Sequence, residues 1–210
     1  MITKLLKFLI LLSAIYQTQA YSKSTSFNSF NAKDLSNYFS GIVAFENQQN
    51  SDALKFFNSS KVLISKHDLY LKRLVYSLVL ENKVPQSIGV IKNNGNKSNI
   101  NFFDAYFLLI IDNLKKNDLD KAEKYLIKAI EFNEYDRFYP VITGILGDFI
   151  HTFKNKEILY KKVNFGNISL ISQAFQRCYL KKDNTRSSFL NLINDPNGNY
   201  SRYKFFYANY

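Results

Sequence analysis

Histidine and cysteine are the residues best suited to hold a metal ion or act as a nucleophile, and the 210-residue chain has only three of them. They are His67, His151 and Cys178. Neither histidine has a second histidine at the helical spacing that a metal site needs, and Asp68 is simply adjacent to His67. Cys178 has no histidine near it in sequence, so a buried, inert thiol is favoured over a nucleophile. We predict no catalytic residue, no metal ligand and no cofactor.

The acidic residues offer no better catalytic pair, because they stand near predicted turns or on exposed helix faces. Asp118 and Asp120 lie where a helix is predicted to begin, and we expect them to cap that helix and to balance its dipole. The sequence also has no phosphate-binding loop, nucleotide fingerprint or nucleophile elbow. These observations favour a protein that is not an enzyme.

Composition narrows the class of protein further. Hydrophobic residues make up 46% of the chain and charged residues 21%, which excludes a wholly disordered chain. A single cysteine excludes a disulfide framework, and 7 Gly with 3 Pro argue against a turn-rich β fold. The formal net charge of +11 would suit an acidic partner. However, the basic residues occur mostly as pairs rather than in an arginine-rich stretch, so we predict no nucleic-acid partner.

Residues 1–20 have the organisation of a cleavable signal peptide. Two lysines precede an apolar run that ends at Ile15, and Thr18 and Ala20 put small residues where a signal peptidase reads the chain. The run is too short for a transmembrane helix, although an uncleaved anchor or an amphipathic first helix is the alternative. Residues 21–30 follow as a flexible linker rich in Ser and Asn. We predict export to the periplasm or cell envelope of a Gram-negative-type bacterium, with no transmembrane anchor in the mature chain.

From residue 31 onwards the apolar residues recur at intervals of three and four, which is the spacing of an amphipathic helix. Short polar segments interrupt this pattern at 47–50, 82–85 and 115–118. Strand-like alternation is not sustained anywhere. The sequence therefore predicts an all-α chain of helical hairpins.

Small residues recur along these hairpins at Ala53, Ser87 and Ala122, at intervals of 34 and 35 residues. A bulky apolar residue follows each of them four positions later. The bulky residues are Phe57, Ile91 and Leu126. A small side chain lets the second helix of a hairpin approach the first closely, and the bulky residue one turn later fixes the crossing. This period and this A-x-x-x-F element resemble the tetratricopeptide repeat.

The resemblance covers residues 31–197 and implies a right-handed α-solenoid of antiparallel helix hairpins, with about four to five degenerate repeats. The best copies are 34–67 and 103–136, and a further copy lies near 169–197. Between them, residues 139–164 fit a long first helix followed by a shortened, basic second helix. The proline that usually ends the repeat is missing from the first three copies. A non-repetitive helical bundle is the alternative.

The last segment, residues 198–210, is the predicted start of a further helix. It is rich in aromatic residues, and a solenoid normally ends in a polar capping helix. We therefore expect this helix either to belong to a longer array or to form a contact between two copies of the chain.

In the tetratricopeptide family the first helices of successive hairpins line a concave groove. The corresponding residues here are Tyr38, Ile42, Phe45, Lys72, Tyr76, Phe107, Ile111 and Arg177. Aromatic rings would give such a groove contact area, and its lysine and arginine would meet a carboxylate of a peptide. The alternative is that these side chains pack one hairpin on the next.

The resemblance and the lack of catalytic motifs predict an exported, non-enzymatic scaffold or adaptor that binds a protein or peptide through this groove. Self-association through the C-terminal helix is a further expectation. Two other functions stay open at this point. One is a helical accessory domain of a cell-wall-acting enzyme whose catalytic module is not in this sequence, and the other is a basic helical protein that binds nucleic acid.

Overall fold

The computed structural model describes residues 31–94, 100–159, 165–196 and 201–209, and these residues form an all-helical fold without a β-strand. Two short 3₁₀-helices, Lys61–Ser65 and Ser201–Tyr203, accompany ten α-helices. The α-helices are α1 (Ala32–Glu46), α2 (Asn50–Ser59), α3 (Asp68–Leu80), α4 (Val84–Asn94), α5 (Phe103–Lys115), α6 (Leu119–Ile130), α7 (Tyr139–Asn155), α8 (Asn167–Tyr179), α9 (Thr185–Ile193) and α10 (Lys204–Asn209). The all-α prediction is confirmed.

Some predicted segments fall outside the described residues. The leader at 1–20 and the linker at 21–30 are two of them. The short basic helix predicted at the end of 139–164 also falls partly outside them, because residues 160–164 are not described. Residues 156–159, which are described, are not helical, so that helix does not follow α7 directly.

The polar segments of the sequence do form the turns between paired helices. They separate α1 from α2, α3 from α4, and α5 from α6. At the third turn the side chain of Asp118 accepts a hydrogen bond from the Lys121 N–H at 3.2 Å, so the predicted cap at the start of α6 is confirmed.

These three turns and the turn between α8 and α9 have the same backbone geometry. Gln48, Asn82, Asn117 and Lys181 each adopt a positive φ, between 53° and 59°. The N–H of each bonds the carbonyl three residues earlier, and the N–H of the next residue bonds the carbonyl five residues earlier, at 2.8–3.1 Å. This pair of bonds is the Schellman motif, which satisfies carbonyls that the helix end leaves unpaired. The first three turns follow one another at 34 and 35 residues.

Along the chain each helix packs against the next one, from α1 to α10. Side chains also connect α1 with α3, α3 with α5, and α5 with α7. These links are Tyr38–Tyr70 with ring centroids at 5.4 Å, Tyr76–Asp104 through a hydrogen bond, and Phe103–Tyr139 with ring centroids at 3.8 Å. The first helices of successive hairpins are therefore in contact.

The small residues lie at the hairpin contacts, as predicted. Ala53, Ser87 and Ala122 are all fully buried, and their bulky companions are buried with them. Thr185 and Phe189 form a fourth buried pair of this kind in α9, although Thr185 stands one residue closer to its turn. That displacement hides the pair from a search at a fixed period.

The two helices of each hairpin also pack through side chains of complementary size. In the first helix of each hairpin, the residue in question stands seven positions before the positive-φ turn residue. Where this residue is small, the residue that it faces in the second helix is large. The pairs are Gly41 with Phe57, Val75 with Ile91, Ile110 with Leu126, and Ala174 with Phe189. A Cβ added to Gly41 would lie 2.8 Å from Cε1 of Phe57, so this crossing has no spare room.

The region after α7 has a more polar interior. Thr152 donates a hydrogen bond to Gln176 Oε1, and Gln176 Nε2 donates to Ser172 Oγ, both at 2.9 Å with all three residues buried. The last helix, α10, packs back on this region, because the ring of Phe206 stacks on that of Phe189 at 5.8 Å. The predicted C-terminal helix thus exists, and one of its aromatic rings has a partner within the chain.

Candidate functional site

Three of the predicted groove residues, all on α1, pack mainly within the fold. Tyr38 is only 2% exposed, so the expectation that its ring faces a groove is corrected. Its hydroxyl accepts a hydrogen bond from Arg73 and lies 3.3 Å from Nδ1 of His67. Ile42 and Phe45 are half-buried against the same core as Tyr38. These side chains hold the first hairpin to the second.

Two other predicted groove residues, Tyr76 and Phe107, come together between α3 and α5. They line an apolar recess of about 310 Å³, which we call the notch. Its remaining lining residues are Val79, Leu80, Asp104 and Leu108. Leu80 is 51% exposed, so the notch is open to a partner side chain.

A hydrogen bond holds the two walls of the notch together. The hydroxyl of Tyr76 on α3 donates to Oδ2 of Asp104 on α5 at 2.5 Å. Burial, followed by the nearby Asp104 carboxylate, raises the pKa of Tyr76 far above its usual value, so the phenol keeps its proton. Nζ of Lys72 lies 5.5 Å from the centre of the same ring. The protonated phenol of Tyr76 therefore links the two walls of the notch.

Ile111 and Arg177 do not join the notch. Ile111 packs against the core formed by α5, α6 and α7. Arg177 lies on α8 in a separate recess of about 470 Å³, where its Nη1 donates to Oγ of Ser188 at 2.8 Å. The predicted groove residues are thus divided between the packed interior, the notch and two other recesses.

The last of them, Lys72, lines a larger recess that the sequence did not predict, which we call the aromatic cavity. Its volume is about 700 Å³, and it lies among α3, α5, α6 and the start of α7. Its aromatic lining residues are Phe102, Phe103, Tyr106, Phe132, Tyr135 and Tyr139. The aromatic residues at 132, 135 and 139 are spaced by three and four in the sequence. That spacing across the α6–α7 connection was the available signal.

The residues capable of acid–base or metal chemistry are dispersed. His67 lies beside Tyr38, and Nε2 of His151 lies 3.2 Å from Oε1 of Glu157. Cys178 is a free, half-buried thiol. Within the described ranges, no group of three or more His, Cys, Asp or Glu side chains could hold a metal ion. The same part of the chain contains no helix that is both long enough and apolar enough to cross a bilayer.

Comparison with protein-family models, with curated proteins and with solved structures found no match to this chain.

Proposed function

We propose that this protein is an exported, non-enzymatic scaffold that binds another protein through the notch. We further propose that its helices form a right-handed solenoid of about four to five tetratricopeptide-like hairpins. The observation that carries the function is the notch itself, an open apolar recess between two first helices that contains Tyr76 and Phe107. A partner would bury an apolar side chain there.

The repeated turn supports the solenoid. Four turns use one pattern of backbone hydrogen bonds, and the helix crossings beside them are filled by side chains of matched volume. In repeat proteins each unit contacts its neighbours along the chain, as successive helices do here. Such stacking presents first helices side by side, which is how α3 and α5 form the notch.

The hydrogen bond across the notch supports binding. Because the Tyr76–Asp104 hydrogen bond joins its walls, little ordering is needed when a partner binds, and preorganisation of this kind favours affinity. The lining is almost wholly apolar, and its volume of about 310 Å³ has room for one or two bulky apolar side chains. An apolar anchor on a helix or an extended peptide fits this recess.

The nucleic-acid alternative has less support, because five of the 28 basic residues already pair with a carboxylate. Five lysines are within 2.9 Å of a carboxylate oxygen, which leaves fewer of them for phosphates. They are Lys92, Lys116, Lys121, Lys128 and Lys154. No feature of the described residues favours an accessory domain of a cell-wall enzyme over a free-standing scaffold.

The test is crosslinking and affinity capture from the native envelope with two matched variants. Leu80→Asp places a charge in the notch at a half-exposed position, so we expect the fold to survive and the captured partner to be lost. Ile127→Asp makes the same change at a 59% exposed residue outside the notch, and it should retain the partner. Thermal melting of both variants checks the fold. Capture that depends on neither residue would contradict the proposal.

Export is tested separately. If residues 1–20 are a cleaved leader, mass spectrometry of the protein from the envelope will find Tyr21 at its N-terminus. Recovery of the intact Met1 terminus would remove the leader from the proposal and leave the notch unaffected.

A further inference from the structure

The aromatic cavity contains one end of a ladder of parallel rings. The rings of Phe107 and Phe103 are 14° from parallel with centroids at 6.4 Å, and those of Phe103 and Tyr139 are 8° from parallel at 3.8 Å. Tyr139 is half-buried and lines the cavity. Among the described residues, no ring other than Phe103 stacks on it. Tyr139 is therefore the end ring of this ladder among the described residues, and it lines the cavity.

The cavity also contains a positive charge without a counter-ion. Nζ of Lys128 pairs with Oε1 of Glu131 at 2.9 Å, so these two charges cancel. Lys72 makes no hydrogen bond or ion pair within the described part of the chain, and its contact is the ring of Tyr76. The net charge of the lining side chains is thus that of Lys72, and the carboxylates of Asp104 and Asp136 lie nearby without lining the cavity.

The hydroxyl of Tyr139 provides a hydrogen-bond donor. Burial, reinforced by the nearby carboxylates of Asp104 and Asp136, raises the pKa of Tyr139, so its phenol stays protonated at neutral pH. A protonated phenol can donate a hydrogen bond to an anion, and it carries no negative charge that would repel the anion.

We propose that the aromatic cavity binds a small planar ligand with a single negative charge, whose ring stacks on Tyr139 and whose anionic group meets Lys72. The face of the Tyr139 ring favours a flat ring that stacks on it with a lateral offset. The unpaired ammonium of Lys72 favours an anion over a neutral group. The volume of about 700 Å³ falls within the range of small-molecule sites. This site adjoins the notch but shares no lining residue with it, and it does not depend on the scaffold proposal.

Isothermal titration calorimetry of the full chain tests the proposal with two probes of one shape. 2-Naphthoate has a planar ring system and a carboxylate, whereas 2-naphthamide has the same rings and no charge. We expect saturable one-to-one binding of 2-naphthoate that is about tenfold tighter than that of 2-naphthamide and weakens as salt is added. Absence of saturable binding by both probes, or equal binding of the two, would overturn the proposal.

Single-residue variants test which side chains contact the ring of the ligand and which contact its anionic group. Lys72→Met keeps the apolar stem and removes the charge, so it should weaken 2-naphthoate about tenfold and leave 2-naphthamide unchanged. Lys124→Met, at an exposed lysine outside the cavity, is the matched control and should change neither probe. Tyr139→Leu should weaken both probes, and melting temperatures show whether it folds. Tyr135→Ala, at an 80% exposed lining ring, provides a variant that is safe for folding and should also weaken both.

The notch variant separates this proposal from the previous one. Leu80→Asp lies outside the aromatic cavity, so it should leave 2-naphthoate binding unchanged while partner capture is lost. An unchanged affinity for 2-naphthoate in Lys72→Met would overturn the assignment of the anion to Lys72, whatever happens to capture.

Discussion

The hairpins of residues 32–130 and the helices from residue 139 onwards share a turn, but the polarity of their buried side chains differs. In the first region, large apolar side chains such as Phe57 fill the crossings. In the second, a buried chain of polar groups joins Thr152, Gln176 and Ser172, and the apolar cluster beside it is small. The turn at Lys181 nevertheless has the same hydrogen bonds as the three before it. A turn depends on backbone geometry and therefore survives where the spacing of side chains does not.

Helix α7 marks the boundary between the two regions. In the four hairpins a connection of three or five residues returns the chain directly to a partner helix, whereas α7 ends at Asn155 and is followed by the non-helical residues 156–159. Lys156 has the positive φ of the other turns, and its N–H bonds the carbonyl of Thr152 at 3.0 Å. The φ of Lys156 thus resembles that of the other turns, but its N–H bonds the carbonyl four residues earlier instead of three, and residues 156–159 do not begin a partner helix.

The largest expected effect comes from emptying a crossing in each region. Phe57→Ala should lower the free energy of unfolding by about 3–5 kcal/mol, because the rings of Tyr38 and Tyr70 hold the space open. Phe189→Ala should cost about 3 kcal/mol, since half-exposed neighbours such as Phe206 can move into the space. Urea denaturation followed by far-UV circular dichroism measures both. A larger loss for Phe189→Ala would reverse the comparison between the two cores.

The next effect tests the polar core of the second region. Gln176→Leu should cost about 1–3 kcal/mol, because it leaves the buried hydroxyl of Thr152 without its acceptor. Adding Thr152→Val and Ser172→Ala removes the stranded groups and should recover most of the loss. Thermal melts of the single and triple variants give the difference. If the triple variant is no more stable than the single one, the polar groups are not what distinguishes this core.

Two helix-interior glycines give a sharper test of the first region, because the same substitution should have opposite signs. Gly41→Ala should destabilise by about 1–2 kcal/mol, since the new Cβ meets the buried ring of Phe57. Gly89→Ala should stabilise by up to about 1 kcal/mol, since no atom lies within 4 Å of its Cβ and alanine favours a helix. Both are measured by urea denaturation. Equal signs would show that the crossing at Gly41 is not close-packed.

The sequence predicted the features that depend on side-chain spacing over short distances. Helical spacing and polar breaks predicted the helices of the first region, and burial of Ala53, Ser87 and Ala122 confirms the predicted contacts. The candidate site was predicted only in part. Tyr76 and Phe107 do share a recess, but whether a half-apolar residue such as Tyr38 faces outwards depends on how the next hairpin packs. The aromatic cavity depends on side chains from four helices, so the local spacing of aromatic residues at 132, 135 and 139 could indicate only one part of its lining.

The smallest expected effect asks whether the shared turn is equally strained in both regions. Gln48 and Lys181 adopt φ of 59° and 53°, a conformation that costs a residue with a Cβ about 1 kcal/mol. Gln48→Gly and Lys181→Gly should each stabilise by about 0.5–1 kcal/mol, partly offset by the greater freedom of glycine in the unfolded chain. Asn117→Gly should gain less, because asparagine tolerates this conformation. Differential scanning calorimetry resolves such shifts. A gain for Gln48→Gly without one for Lys181→Gly would mean that the two regions share the hydrogen bonds of the turn but not its energetics.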